Sequence, residues 1–372
     1  MDRHIIHIVL GKANPDRMNG VNKVVNSLAE HQSGHGYKVS LWGITKTLTH
    51  NYPSRSYQTQ LFRDKGKFRV SQELKSAIND LKEDVVFHFH GGFIPQFYVI
   101  SKLLKRRNLQ YILTPHGAYN KIALERSRLK KAIYIKIFES YLVKNAKTIH
   151  LIGASELDGT EALFGEVPCA LIPNGQEDLS SRDCGSKIGN QNPIFGFVGR
   201  IDTRTKGLDI LLKGFANYLR NTSADPQLWI IGDGADRQEL EQLARNLNIL
   251  ANMKFFGAKY GTQKDDLIRE MDFLCLTSRN EGLPGVVLEA SALGTPAIVS
   301  KETNMAQYIS QAESGFVLKV NSPSFIAKTM IKAESILGNH LYKLKSTAAV
   351  NMVSRVFSWS RIARQHIDLY HE

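Results

Sequence analysis

Cysteine is scarce in this sequence, whose three are Cys169, Cys184 and Cys275. Three is an odd number, and their separations do not match the short spacings of cysteine-based metal sites. The pattern argues against a disulfide-stapled secreted scaffold and against a cysteine zinc site. A reducing cytoplasm is therefore the expected compartment.

Long apolar runs are also lacking. No window reaches the roughly 20 apolar residues that a membrane-spanning helix needs. The first apolar run, residues 4–10, is too short and too polar for a secretory signal and ends in Gly11 and Lys12, so it predicts a first strand. Any contact with a membrane is expected to be peripheral.

No nucleic-acid-binding motif is present, and aromatic residues are not interleaved with lysine and arginine in a stacking pattern. The formal net charge of +13 thus has another cause, and it is unevenly distributed. Residues 1–182 carry 26 Lys/Arg and 16 Asp/Glu, a net +10, whereas residues 183–372 carry 22 and 19, a net +3. The excess lies in two predicted helices, at Lys102, Lys105, Arg106 and Arg107 and at Arg126, Arg128, Lys130, Lys131 and Lys136. Such helices face either an anionic lipid surface or plain solvent, and both interpretations stay open.

A chain of 372 residues exceeds what one hydrophobic core usually supports, so two domains are expected. Short apolar runs alternate with helical patterns through both halves, which predicts an α/β fold with two doubly wound parallel sheets. Residues 176–192, rich in Ser, Gly and Asn, form a linker by composition. We expect domains at 1–182 and 183–354, with an amphipathic helix at 355–372 that packs back on the first domain.

Ligands of such sheets bind at the carboxyl ends of the strands, so the loops there are the candidate sites. After the first strand, Gly20 opens a helix, where it either lets a ligand approach the backbone or serves only as a cap. After the fourth predicted strand, His116 lies between a proline and a glycine. A lone histidine is more often structural, but this position in a loop after a strand makes His116 a better than average candidate for a functional role. His88 and His90 alternate along a strand; His88 is predicted to be core, and His90 is left open.

The second half places cations in the same kind of loop. Arg200 ends one predicted strand and Lys206 precedes the next helix. Two cations beside a helix N-terminus suit a diphosphate. Three further candidates follow predicted strands of this half and should lie at the same edge of the sheet: Gly199, Gly232 and Lys259.

The stretch 281–290, EGLPGVVLEA, is the most informative of the chain. Its Gly-Leu-Pro-Gly turn predicts a helix start, with Gly282 in the turn and free amides at Gly285, Val286 and Val287 that favour an anionic or hydroxyl-rich ligand. Glu281 should precede the helix and Glu289 lie inside it, roughly 12 Å further along, so that they contact different parts of one ligand. The alternative is an ordinary βα unit with two incidental glutamates.

Together these motifs resemble the family 4 glycosyltransferases. The resemblance covers nearly the whole chain and rests on TPHG at 114–117, IPNG at 172–175, GRxxxxxKG at 199–207, IGDG at 231–234, EGLPGVVLEA at 281–290 and an FSW…LY tail. It implies the GT-B fold, two Rossmann-like domains facing across a cleft. It also implies retaining transfer of a hexosyl unit from a nucleotide diphosphate sugar, UDP in preference to GDP, to a glycan or lipid-linked glycan in cell-surface polysaccharide synthesis.

The resemblance also implies roles for single residues. Arg200 and Lys206 would neutralise the diphosphate, Glu289 would bind the ribose hydroxyls, and Glu281 would hold the sugar near its reacting carbon. His116 would reach the sugar, and Gly20 would mark the loop where donor and acceptor meet. No Asp-x-Asp occurs, so neither a metal nor another cofactor is expected.

Other classes fit parts of the pattern. A nucleotide-sugar epimerase of the same architecture would also have two domains and a diphosphate site, but it would act on the donor alone. A catalytically silent relative would bind the nucleotide sugar without turning it over. The relatives' longer glycine-rich loop is reduced here to the single Gly20, which leaves the acceptor end of the site less defined.

Overall fold

The computed structural model describes residues 3–14, 20–50, 54–82, 84–120, 128–177, 179 and 192–372. The chain forms two compact units. Unit 1 comprises Met1–Gly175 together with Trp359–Glu372, and unit 2 comprises Gln176–Ser358. The predicted boundary at 182/183 and most of the predicted linker lie outside the described residues.

Within the described residues, unit 1 is built on a seven-stranded parallel sheet with the order β3-β2-β1-β4-β5-β6-β7. Its strands are β1 His4–Leu10, β2 Val39–Thr45, β3 Gln58–Arg63, β4 Val85–His90, β5 Gln110–Thr114, β6 Thr148–Leu151 and β7 Cys169–Leu171. Its helices are α1 Gly20–Gly34, α2 Gln72–Asn79, α3 Pro95–Arg106, α4 Arg128–Tyr134, a π-helix Ile135–Glu139, α5 Ser140–Lys144, α6 Ala154–Phe164 and, from the end of the chain, α15 Trp359–His371.

Apolar side chains cover both faces of this sheet, which explains the near-continuous apolar runs of its central strands. One face packs against α2, α3, α5 and α6, with Phe87 and Leu113 in its core. The other packs against α1 and α15, with Ile5 and Ile362 in its core. The sequence pattern also predicts a helix at 121–145. The structure describes this segment from Arg128 onward, as α4, the π-helix and α5 in succession.

The sequence patterns missed two edge strands of unit 1, β3 and β7. Strand β3 reads QTQLFR and exposes alternate side chains, and β7 has three residues of which two are exposed. An edge strand with few apolar residues has little periodicity to detect, because only its pairing partner buries it.

Within the described residues, unit 2 is built on a six-stranded parallel sheet with the order β10-β9-β8-β11-β12-β13. Its strands are β8 Ile194–Val198, β9 Gln227–Ile231, β10 Met253–Gly257, β11 Phe273–Leu276, β12 Ala297–Val299 and β13 Gly315–Val317. Its helices are α7 Thr203–Lys206, α8 Leu208–Leu219, α9 Arg237–Asn246, α10 Gly261–Glu270, α11 Gly285–Ala292, α12 Ala306–Ala312, α13 Pro323–Glu334 and α14 His340–Met352, with 3-10 turns at Leu250–Asn252 and Lys301–Thr303 and a π-helix at Val353–Phe357.

The last long helix of unit 2 is divided. The pattern at 322–346 predicts one helix, but α13 ends at Glu334 and α14 begins at His340. Gly338 has a φ of 73°, and the Asn339 side chain accepts from the amides of Leu341 and Tyr342 as an N-cap. A left-handed glycine followed by an N-cap ends one helix and starts another.

The final helix, α15, belongs to unit 1. A Cβ atom on Gly175 would lie 2.3 Å from Cδ2 of Trp359, so the indole packs directly on that backbone. Lys147 donates to the carbonyl of Tyr370 at 3.3 Å. In the part of the chain described, no helix has the length and apolar character needed to cross a membrane.

Candidate active site

The carboxyl ends of β8, β9 and β10 are bound together through their backbones. Gly199 N–H donates to Ile231 O, and Gly232 N–H donates to Gly257 O, each at 2.9 Å. A Cβ on Gly232, whose φ is +146°, would lie 1.8 Å from Gly199 O. Only glycine permits this approach, so both predicted glycines serve to pack neighbouring loops at this edge.

Lys206 ends the short helix α7, and a glycine sets its position. Gly207 has a φ of +65°, and a Cβ there would lie 2.1 Å from Thr277 O in the loop after β11. The left-handed glycine stops α7 and lets the chain pass close to that loop before α8 begins. Lys206 is thereby held against the residues that follow β11.

Lys206 and Glu281 form an ion pair of 2.5 Å between Nζ and Oε1, with side chains 20% and 14% exposed. Ser278 Oγ donates to the same carboxylate oxygen at 2.8 Å. Screening by water is reduced at this burial, so the pair is stronger than an ordinary surface ion pair. Sequence analysis identified both charged residues as candidate site residues but did not predict their direct contact.

The loop that carries Glu281 is fixed from behind by Asn304. Its Nδ2 donates to the carbonyls of Glu281, at 2.7 Å, and Gly282, at 2.6 Å. The amide of Glu281 donates to Glu302 O at 3.1 Å. Sequence analysis did not identify Asn304. Its distinguishing feature is a left-handed backbone with a φ of 58°, which only the structure shows.

Helix α11 starts at Gly285, with Pro284 as its N-cap. The amides of Gly285 and Val286 lie in the first turn of the helix, where no earlier helical carbonyl can accept from them, and Gly285 is exposed. The predicted free amide at Val287 is wrong, because Val287 is buried and its N–H donates to Pro284 O at 3.0 Å. Two amides, not three, are therefore offered at this helix start.

Glu289 lies within α11 and pairs with a lysine that sequence analysis did not propose. Lys264 Nζ of α10 lies 2.7 Å from Glu289 Oε2, and the side chains are 18% and 13% exposed. Nothing in the spacing of Lys264 marks it, because the contact depends on the packing of α10 against α11. The two glutamates of the EGLP stretch thus each have a lysine partner.

The remaining predicted cations are less enclosed. Arg200 has a side chain that is 70% exposed and pairs with Asp202 Oδ2 at 3.2 Å, whereas Lys206 pairs with Glu281. Lys259 lies half-buried in the loop after β10.

Arg279, which the sequence did not single out, lies in the loop after β11 and supports α7. It donates to both carboxylate oxygens of Asp209, at 2.9 and 2.8 Å, and to the carbonyl of Arg204 at 2.9 Å. The hydrogen bonds to Asp209 raise the pKa of Arg279. The guanidinium fork fits a carboxylate better than a lysine would and fixes the helix that presents Lys206.

In unit 1, His116 adopts a left-handed backbone, with a φ of 52°. The Glu156 carboxylate accepts from the amides of Gly117 and, at 3.1 Å, Ile152, and burial raises the pKa of Glu156 to about 7. Burial lowers the pKa of His116 to about 3. The imidazole is therefore neutral at ordinary pH and does not supply a proton as an imidazolium.

Gly20 begins α1 and is exposed, and a Cβ there would meet nothing within 4 Å. The residues immediately before it, 15–19, lie outside the described part of the chain. Its proposed place beside an acceptor stays a prediction.

Two doubly wound α/β units with glycine-lined, cation-bearing strand ends define the GT-B class. Residues 18–177 match the family described as Glycosyltransferase Family 4, and residues 185–345 match the family described as Glycosyl transferases group 1. The chain belongs to the family 4 glycosyltransferases of the GT-B fold. The resemblance and the fold class inferred from the sequence are confirmed.

Curated relatives match at low identity. D-inositol 3-phosphate glycosyltransferase of Corynebacterium urealyticum is 22% identical over 71% of this chain and 66% of its own length. Phosphatidyl-myo-inositol mannosyltransferase of Mycobacterium tuberculosis is 26% identical over 67% of this chain and 66% of its own length. The chain thus spans just under two thirds of these relatives.

Solved structures match over nearly the whole chain. HepE of Anabaena in complex with UDP has a TM-score of 0.76 at 13% identity, covering 98% of this chain and 99% of that one. The lipopolysaccharide outer core galactosyltransferase WaaB has a TM-score of 0.74 at 14% identity, covering 99% and 100%. Likeness at this identity establishes the shared fold.

Proposed function

We propose that this protein is a retaining glycosyltransferase that moves a hexosyl unit from a nucleotide diphosphate sugar to a glycan or lipid-linked glycan. The observation that carries the proposal is the partly buried ion pair between Lys206, at the end of α7, and Glu281, in the loop before α11. It places a cation and a carboxylate together at the carboxyl edge of a parallel sheet, where such folds bind nucleotides.

Breaking the bond between sugar and diphosphate leaves negative charge on the diphosphate and positive charge on the sugar carbon. A fixed cation near the first and a carboxylate near the second lower the barrier. We assign Lys206 to the diphosphate, which replaces Glu281 as its anionic partner when the donor binds. Glu281, released from the lysine but still bonded to Ser278, then holds the sugar hydroxyls. Arg200, with its largely exposed side chain, closes on the diphosphate from solvent.

Helix α11 contributes at both ends of the donor. The Gly285 and Val286 amides and the positive end of the helix dipole favour phosphate and sugar oxygens. Glu289 is assigned to the ribose hydroxyls, with Lys264 fixing its carboxylate. We place four further residues along the approach to the donor site: Lys259, Gly199, Gly232 and Gly282. The Val287 backbone, whose N–H donates to Pro284 O, has a structural role in the helix start.

In unit 1, we assign His116 to a hydroxyl of the transferred sugar and Gly20 to the acceptor loop. HepE in the same fold carries UDP, which supports UDP over GDP here. The relatives named for inositol phosphate and phosphatidyl-inositol acceptors, and the basic charge of residues 1–182, support a polar or lipid-linked acceptor. We place the enzyme in the cytoplasm, peripheral at the inner face of the cell membrane, in cell-surface polysaccharide synthesis.

The test is product analysis with labelled UDP- and GDP-hexoses, each with and without lipid-linked glycan acceptors. A glycosylated acceptor that keeps the donor's anomeric configuration supports the proposal. An altered sugar nucleotide formed without acceptor would identify an epimerase. Donor binding by thermal shift with no product in any mixture would identify a silent relative.

Transfer should not require a metal ion, because the sequence has no Asp-x-Asp and lysine can neutralise the diphosphate. We expect the rate of transfer to be the same after treatment with EDTA and gel filtration. A rate that vanishes and returns with Mg²⁺ or Mn²⁺ would contradict this prediction and assign the charge neutralisation to a cation.

A further inference from the structure

A line of buried polar side chains lies on the face of the unit 1 sheet covered by α1 and α15. It contains His7 of β1, His88 and His90 of β4, Thr114 of β5 and His150 of β6. Adjacent parallel strands bring them together, since His7 pairs in register with His88, and His90 with Thr114. Alternate residues of a strand share a face, which places His88 and His90 on one side.

The line is a directed chain of hydrogen bonds, and its direction is set at Ile172. A carbonyl only accepts, so His150 Nε2 donates to Ile172 O at 2.8 Å, and its Nδ1 must accept. The Thr114 hydroxyl therefore donates to His150 Nδ1 at 2.7 Å. Having used its one proton, Thr114 accepts from His88 Nε2 at 2.6 Å.

The direction continues through α15 and α1. His88 Nδ1 accepts from the Tyr370 hydroxyl at 2.7 Å. Tyr370 in turn accepts from the Gln32 amide nitrogen at 3.1 Å, which leaves Gln32 Oε1 to accept from His7 Nε2 at 2.7 Å. Each group has one way to satisfy both neighbours, because a neutral imidazole has one donor and one acceptor.

The chain ends at His116. His7 Nδ1 accepts from His90 Nε2 at 2.9 Å, and His90 Nδ1 accepts from His116 Nε2 at 3.0 Å. Burial lowers the pKa of His7 to about 4 and of His116 to about 3, and holds those of His88, His90 and His150 well below the ordinary value. Each ring therefore carries a single proton at neutral pH, as the directed chain requires.

We propose that this chain fixes His116 as the Nε2-protonated tautomer, with Nδ1 presented as a hydrogen-bond acceptor for a hydroxyl of the ligand. Tyr370 and Gln32, with His7 and His90, are then positioning residues that act through His116. Identifying that ligand as the transferred sugar rests on the proposed function; the tautomer itself does not. The hydrogen-bond partners along the chain determine the tautomer of each ring. Reversing every hydrogen bond would require the Ile172 carbonyl oxygen to act as a donor, which it cannot do.

The test is the ring nitrogen spectrum of ¹⁵N-histidine-labelled full-length protein at pH 7.5 without ligand, with His116 identified by its loss in His116→Gln. We expect His116 to be protonated at Nε2 and bare at Nδ1. In Tyr370→Phe the Gln32 amide can rotate, so the segment from His7 to His116 can run in either direction. A second, Nδ1-protonated His116 signal should then appear. Gln32→Leu breaks the same link and should have the same effect.

Tyr111→Phe is the matched control, because Tyr111 is a buried tyrosine of unit 1 that takes no part in the histidine hydrogen-bond chain. Its hydroxyl donates to Leu142 O at 2.5 Å. It should leave the His116 spectrum unchanged. Turnover by Tyr370→Phe should fall in proportion to the Nδ1-protonated fraction of His116, about twofold if the two tautomers are equally populated, while nucleotide affinity is retained.

An Nδ1-protonated or doubly protonated His116 in the unaltered protein would overturn the proposal, as would a tautomer that both chain-breaking variants leave unchanged. Stoichiometric metal in the purified protein with ring shifts of metal-bound His7, His88 and His90 would also overturn it, since these three rings lie close enough together to hold an ion. Absence of transferase activity with the expected tautomer would reject the proposed function alone.

Discussion

At the scale of single residues, Lys206 differs from the other cations near the strand ends. Its side chain is 20% exposed and paired, whereas the Arg200 side chain is 70% exposed. Under the proposed assignment of Lys206 to the diphosphate, this poorly solvated position would make its interaction with a developing phosphate charge stronger than that of a surface lysine.

Lys206→Ala should therefore cost about 3 kcal/mol of transition-state stabilisation, roughly 100-fold in kcat/KM. Arg200→Ala should also lower kcat/KM, since it removes the second cation. The measurement is steady-state transfer, with melting temperature recorded to separate activity from folding. Lys213→Ala, an exposed lysine of α8, is the control and should keep full activity. If Lys206→Ala and Arg200→Ala both match the control, the donor assignment fails.

At the scale of elements, α4 and the following π-helix expose two isoleucines beside basic residues. Ile133 and Ile137 are 63% and 53% exposed. On the packed side, Phe138 contacts Phe68 at 4.4 Å between ring centroids, and the Lys131 ammonium lies 5.4 Å from the Phe93 ring centroid. The aromatic packing fixes the helix and leaves Ile133, Ile137 and Lys136 exposed, a combination of apolar and basic residues found in helices that lie on a membrane.

We expect the protein to sediment with vesicles containing anionic lipid and not with neutral ones, with binding that weakens as salt rises. Each nearby cation contributes about 1 kcal/mol, screened by salt. Replacing Ile133 and Ile137 with serine should reduce binding. Leu157→Ser, which alters an exposed leucine of the acidic helix α6, should not. Equal binding to both vesicle types, or none at low salt, would make the charge excess a solubility feature.

At the scale of the whole molecule, buried histidines couple stability to pH. Burial lowers the pKa of His7 and His366 to about 4 and of His116 to about 3, and lowers those of three further histidines, His88, His90 and His150. The unfolded chain binds protons at these groups below about pH 6.5, whereas in the folded protein His7 and His366 stay neutral down to about pH 4. The lowered pKa values of His88, His90, His116 and His150 keep these rings neutral in the same range. The contribution of these neutral histidines to the free energy of unfolding is therefore complete above about pH 6.5 and is lost as the pH falls below it.

The free energy of unfolding should therefore fall between pH 7.5 and 5.5, by up to ~1.4 kcal/mol per pH unit for each histidine in the titrating window. Glu139 and Glu156 act in the opposite sense, since burial raises the pKa of each, but the histidines outnumber them. Urea unfolding at the two pH values checks this. His366→Leu should shrink the loss, and His340→Leu, at an exposed histidine of unit 2, should not. An unchanged loss in His366→Leu would contradict the account.

The sequence by itself determined the features that are local. The alternation of apolar runs and helical patterns predicted both parallel sheets, because buried strands and amphipathic helices are each written in consecutive residues. It also located Glu281 and His116 in loops that follow strands and Lys206 just before a helix, since glycine and proline mark such turns. Strands β3 and β7 were missed, because β3 is largely polar and β7 has only three residues, and both lie at edges of the sheet.

Only the tertiary structure decided which of these groups meet. Lys206 pairs with Glu281 across 75 positions, and Tyr370 bonds to His88 across 282. The histidine chain requires β1 to lie between β2 and β4 and α15 to pack over that face. Such contacts follow from strand order and helix packing, which set distances between residues remote in sequence. No pattern of neighbouring residues records those distances.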